Sequence, residues 1–176
     1  MKLVICEKPS VGAAVAAALG VTGKKDGYIE NDKYIISWCI GHLVQLSEAA
    51  AYGEQYRKWS YDSLPILPQE WQYTVAADKG KQFKILKDLM QRSDVSEVVN
   101  ACDAGREGEL IFRFVYHQAG CKKPFTRFWI SSMETDAIRS GFEHLKDGRG
   151  YDTLYHSALC RAKADWLIGI NATRLF

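Results

Sequence analysis

Two short apolar runs, each ending in a charged turn that feeds a helical pattern, limit the fold more than any other feature of this sequence. The first, Lys2 to Cys6, stops at Glu7-Lys8-Pro9. An Ala-rich segment from Ser10 to Leu19 follows and reads as a helix with Pro9 near its first turn, where the missing N–H costs nothing. The second run, EVVNAC at 97–102, reads as a buried strand and ends at Asp103-Ala-Gly-Arg106-Glu107-Gly108-Glu109. Helical spacing recurs at about 79–91, with Phe83, Leu86 and Met90 on one face, then from Glu109 to Ala119 and from about Glu134 to Leu145. A further strand is predicted at 126–130. Strands alternating with helices imply an α/β domain, with a largely parallel sheet flanked by helices.

The remaining segments are arranged around that unit. YIENDKYIISWCIGHLV carries β-formers on both sides of Asn31-Asp32, the pattern of an inserted hairpin, and Gly41 permits a tight bend before His42. Residues 47–75 hold Pro65, Pro68 and the aromatics Tyr52, Tyr56, Trp59, Tyr61 and Trp71 without clear periodicity, and read as an irregular, partly packed excursion. Beyond Gly148 and Gly150, Leu154, Ala158, Ala162, Trp166 and Ile170 mark a long C-terminal helix. A chain of 176 residues with 47% apolar content buries one sizeable core and a small appendage. The net charge of +2 does not by itself announce nucleic acid. The five cysteines lack CxxC and metal-ligand spacing, the N-terminus lacks a signal-peptide pattern, and no apolar stretch approaches the roughly 18 residues of a membrane span. Reduced thiols in a cytoplasmic protein with no membrane partner are the expectation.

The chemistry gathers at the strand ends. In parallel α/β sheets ligands bind beyond the carboxyl ends of the strands, so Glu7 and the Asp103 turn are expected to meet over one crevice. A few carboxylates there suit Mg²⁺, which takes oxygen ligands, keeps several waters and accepts phosphate oxygens for the rest. The competing account is that acids collect at helix N-termini because they favour the positive end of the dipole. A capping box is absent, since three residues after Asp103 stands Arg106. Lys8 has two readings, an ion pair with its neighbour Glu7 or a charge set against a phosphate oxygen. There is no GxxxxGK[ST] motif, and no nucleotide cofactor is expected.

Glu7-Lys8-Pro9-Ser10 and Asp103-x-x-Arg106-Glu107-Gly108 resemble the toprim domain shared by topoisomerases, bacterial primases and some nucleases. Trp38-Cys-Ile-Gly-His-Leu43, the Trp59 to Pro68 stretch, Trp129-Ile-Ser-Ser-Met133 and the block from Arg161 to Arg174 resemble the type IA DNA topoisomerases, topoisomerase III branch, nearly end to end. The resemblance implies a toprim, Rossmann-like fold over 1–147 and the first helix of a following domain over 148–176. It implies an isomerase that cuts one DNA strand with a tyrosine, passes another through the gap and reseals it. Residue by residue, Glu7, Asp103 and Glu107 match acids around Mg²⁺, Lys8 matches the residue against the scissile phosphate, and Arg106 belongs to the same catalytic motif. Trp59, Trp166 and Arg174 match positions that contact DNA, preferentially single-stranded, and His42 stands near the strand. For each tryptophan the alternative is a place in the core.

Two departures qualify that match. Gly105 stands where the family usually has a second aspartate, so one Mg²⁺ held by Glu7, Asp103 and Glu107, partly through water, is the expectation. None of the nine tyrosines matches the nucleophile's motif, so this chain alone is expected neither to cleave nor to relax DNA. A toprim nuclease or primase, a non-catalytic DNA-binding module and a nucleotide-binding α/β domain are the competing readings. The block from Arg161 to Arg174 argues against the first of these. The aromatic excursion and terminal helix have no role in the last.

Overall fold

The computed structural model describes residues 1–176. Strand β1 (Lys2–Cys6) lies at the centre, parallel to β4 (Tyr34–Trp38) on one side and to β7 (Glu97–Ala101) on the other. A seven-stranded sheet results, ordered β2-β3-β4-β1-β7-β8-β9. Its edges are β2 (Gly23–Lys25) with β3 (Tyr28–Glu30), and β8 (Phe125–Arg127) with the short antiparallel β9 (Lys146–Asp147). The predicted hairpin is β3 and β4. Asn31 closes it, its Oδ1 accepting the backbone N–H groups of Lys33 and Tyr34 at 2.9 and 2.8 Å.

Alternation along the central strands divides the core between two faces. Leu3, Ile5, Ile35 and Val98 point to the side covered by α2 (Gly80–Gln91), α3 (Arg106–Gln118) and α5 (Asp152–Leu175). Val4, Cys6, Ile36 and Val99 point to the side covered by α1 (Pro9–Leu19) and α4 (Thr135–Glu143). Right-handed crossovers that reverse direction must use opposite faces, so α1 and α2 lie on different sides as the chain moves first from β1 to β4 and then back to β7. The reversal makes the gap between the ends of β1 and β7 the topological switch point.

Three expectations change. Helix α3 begins at Arg106 rather than Glu109, because Gly105 in extended conformation opens the helix three residues earlier and puts Glu107 in its first turn. The strand expected at 126–130 ends at Arg127, where the chain turns away and the Trp129 ring stacks on Tyr151 with centroids 5.1 Å apart. The 47–75 excursion is also less irregular than its composition suggests. It contains 3₁₀ turns at Ala49–Tyr52, Glu54–Tyr56 and Tyr61–Ser63 and ends in β6 (Tyr73–Val75), which pairs with β5 (Val44–Leu46) as a second small sheet.

Candidate DNA and metal site

Glu7 follows the last residue of β1, and Asp103 stands two residues beyond the end of β7. Because Cys6 is in register with Ala101, the two turns are side by side, and the Asp103 backbone N–H donates to Glu7 Oε2 at 3.2 Å. The two clusters that lie 96 residues apart in sequence therefore meet at the switch point. Gly108 makes the turn this tight: a Cβ there would lie 2.0 Å from the Asp103 carbonyl oxygen.

Glu107 is turned toward a different partner. Its Oε2 lies 3.4 Å from His42 Nε2, and both side chains are exposed. No three His, Cys, Asp or Glu side chains stand close enough together to hold a metal ion among themselves. Oxygen ligands of the hard type that Mg²⁺ prefers are nevertheless present at the crevice, on Glu7 and on the exposed Asp103, with Glu107 in the first turn of α3. The donor set thus fits a cation that takes most of its coordination from water and phosphate. The dipole account holds for Glu107 and Glu109, which occupy the first turn of α3, and not for Asp103, which lies outside it. Lys8 is exposed at the N-cap of α1 and forms no ion pair, with Glu7 or any other acid, and Arg106 is likewise exposed and unpaired.

His42, Trp59, Trp166 and Arg174 line one cavity of about 680 Å³, which extends from the His42–Glu107 pair across α3 to the last turns of α5. Trp59 is 64% exposed, and the Arg174 guanidinium sits 5.8 Å from its ring centre. Arg174 Nε and Nη1 are shielded from solvent and have no hydrogen-bond partner, although the residue lines the cavity. Trp166 is anchored differently. Its indole N–H donates to the Ser47 carbonyl at 2.9 Å and its ring meets Tyr52 and Trp71 edge to face, so it both walls the cavity and ties α5 to the excursion. Arg57 and Tyr56, which sequence reasoning did not single out, line the same cavity. Asp103 also rims a second crevice of about 930 Å³ on the opposite face, between Phe128, Trp129 and α4.

The residue that sequence reasoning missed altogether is Arg127. It is fully buried, with Nε 3.0 Å from Glu109 Oε2. Glu109 is equally buried and also accepts from Arg113 Nε at 2.9 Å. Burial pushes the Glu109 carboxyl up and the Arg127 guanidinium down, while each partner's charge opposes the shift. The signal was a lone cation inside the apolar run Phe125 to Ile130.

The sheet lies between two helical layers, with an acidic turn at its switch point and a cavity lined by aromatic and basic side chains on the α3 side. The chain belongs to the Toprim domain family, whose model matches residues 2–133. It is 46% identical over 172 residues to DNA topoisomerase 3 of Bacillus subtilis (strain 168), a match that covers 98% of this chain and 24% of that protein. The DNA topoisomerase 3 of Shouchella clausii (strain KSM-K16) is 49% identical over 173 residues, with the same coverages. The chain therefore spans about a quarter of the length of these curated relatives. Among solved structures, full-length topoisomerase I from Thermotoga maritima superimposes with a TM-score of 0.52 at 20% identity. That match covers 82% of this chain and 21% of that one and shows the shared fold.

Proposed function

We propose that this chain is the Mg²⁺- and single-strand-binding part of a type IA DNA topoisomerase of the topoisomerase 3 kind, with 1–147 as the toprim domain and 148–176 as the start of the next. The whole enzyme changes DNA topology by transient single-strand cleavage, strand passage and religation. This part holds the strand and the scissile phosphate but supplies no nucleophile, and the enzyme works in the cytoplasm without a nucleotide cofactor. The observation that carries the reading is the single cavity formed by His42, Trp59, Trp166 and Arg174, whose His42 faces Glu107 at 3.4 Å and follows Gly41, the residue that donates its backbone N–H to the Glu7 carbonyl.

Each side chain has a physical task in that reading. A base stacks on the exposed face of Trp59, and its phosphate pairs with the charge of the neighbouring Arg174 guanidinium. Lys8, free of any carboxylate partner, neutralises charge on the scissile phosphate at the mouth of the crevice, and Arg106 faces the same phosphate backbone. Glu7, Asp103 and Glu107 hold Mg²⁺ partly through water, and Glu107 leaves His42 to do so. The cation, when bound, offsets the repulsion between these acids and the phosphate.

Calorimetric titration of the chain with Mg²⁺, alone and with a short single-stranded oligonucleotide, tests the metal half of the proposal. Binding that disappears in Asp103→Ala supports it, and a wild-type chain that binds no Mg²⁺ even with DNA overturns it. Fluorescence anisotropy of the labelled oligonucleotide tests the strand half. Trp59→Ala is expected to weaken binding by about 1–3 kcal/mol, the usual worth of one base on an aromatic ring, with affinity falling as salt rises. Relaxation of supercoiled plasmid by the chain alone would contradict the assignment of the nucleophile elsewhere.

A further inference from the structure

The Asp103 turn is held from beneath by side chains that never reach solvent. Arg127 donates to three carbonyls of that region: Nη1 to Cys102 at 2.6 Å and Asn100 at 3.2 Å, and Nη2 to Asp103 at 2.7 Å. Asn100 works from the other side, its Oδ1 accepting the Cys102 backbone N–H at 3.1 Å. Both converge on Glu109, whose Oε2 accepts from Asn100 Nδ2 at 3.0 Å and lies 3.0 Å from Arg127 Nε. One N–H and two carbonyls of the Cys102–Asp103 segment are thus fixed by two side chains, and one carboxylate fixes both.

A buried ion pair is weak evidence for stability, because well-packed apolar residues of similar volume often do as well. An apolar pair, however, has no donors for the carbonyls of Cys102 and Asp103, which would be left unpaired in the core. The network's other end gives it a second connection. Arg113, paired with Glu109, donates Nη2 to the Gly148 carbonyl at 3.0 Å and to Asp152 Oδ1 at 2.7 Å, at the start of the helix that carries Trp166 and Arg174.

We infer that Glu109, acting through Arg127 and Asn100, is a positioning residue that sets the backbone of the Asp103 turn for its cation. Without it, the Asp103 N–H loses its alignment with Glu7, and the two carboxylates no longer share a crevice. The inference rests on the metal reading above only for its second readout. The first, protection of the turn, needs no metal.

The test compares the wild-type chain with Glu109→Gln and Arg127→Lys, and with Ile138→Val in the core of the opposite face as a control for lost packing. Hydrogen exchange of the Cys102 and Asp103 amides, read residue by residue, is expected to quicken at least tenfold in the first two variants relative to the control. Their Mg²⁺ dissociation constants are expected to rise at least fivefold while that of Ile138→Val does not. Unchanged turn exchange in folded Glu109→Gln and Arg127→Lys overturns the inference. A wild-type chain that binds no Mg²⁺ defeats the metal reading instead, and the exchange comparison still decides whether Glu109 holds the turn. If both variants fail to fold, the Arg127 Nη–H resonances of the wild type decide. Slow solvent exchange supports the network, and the rate of a free arginine overturns it.

Discussion

At Gly108 the absent side chain is what matters, because the Asp103 backbone occupies the space that a Cβ would fill, with its carbonyl oxygen 2.0 Å and its nitrogen 2.8 Å away. Neither atom can swing aside as a side chain would. Gly108→Ala is therefore expected to cost about 1–3 kcal/mol as an overpacked site and to abolish Mg²⁺ binding, which calorimetry on the folded variant would read. Gly105 presents the opposite case. Its backbone is extended and a Cβ there would meet nothing within 4 Å, so the missing aspartate can be restored without strain. Gly105→Asp is expected to keep its melting temperature, since Asp is a favourable N-cap, and to bind Mg²⁺ roughly three times more tightly or better, because affinity follows the number of charged ligands. Weaker binding in that variant would mean that the position does not face the cation.

Two side chains join α5 to the excursion at the scale of elements. Asn171 accepts the Ile66 N–H at 2.7 Å and returns its own amide to the Ile66 carbonyl at 3.0 Å, while Trp166 bonds Ser47. These contacts fix the far wall of the cavity, so the excursion that carries Trp59 is placed by a helix more than a hundred residues later. Asn171→Ala leaves both Ile66 groups unpaired in a buried site and is expected to cost about 1–3 kcal/mol. Thermal unfolding would register the loss, and limited proteolysis would show cleavage concentrated between residues 54 and 70. An unchanged cleavage pattern would mean that the aromatic contacts of Trp166 suffice. This joint was not legible in the sequence. The helical pattern of α5 was plain, and the aromatics of the excursion were plain, but no periodicity says which side of α5 they meet.

For the molecule as a whole, pH acts through groups whose folded and unfolded pKa values differ. Partial burial beside Tyr116 and Tyr155, with the Arg113 charge nearby, holds His117 below the ordinary histidine value. A lowered histidine pKa means that the unfolded chain binds the proton first. Its contribution is complete above about 6.5, the unfolded value, and is lost as pH falls through that value toward the folded one. Denaturant unfolding between pH 7.5 and 5.5 is expected to show stability declining on acidification, with a shallower slope in His117→Gln. An identical slope would assign the decline to other groups. The sequence by itself determined the α/β alternation, the hairpin at Asn31, and the places of Glu7 and Asp103 at strand ends, because these follow from local periodicity and turn chemistry. It also marked His42, Trp59, Trp166 and Arg174 through a family resemblance. Only the tertiary structure decided that those four share a cavity, that Glu107 faces His42, and that Arg127 and Glu109 lie under the acidic turn. Those are outcomes of packing between segments far apart in the chain, where register and helix placement select the partners and local pattern does not.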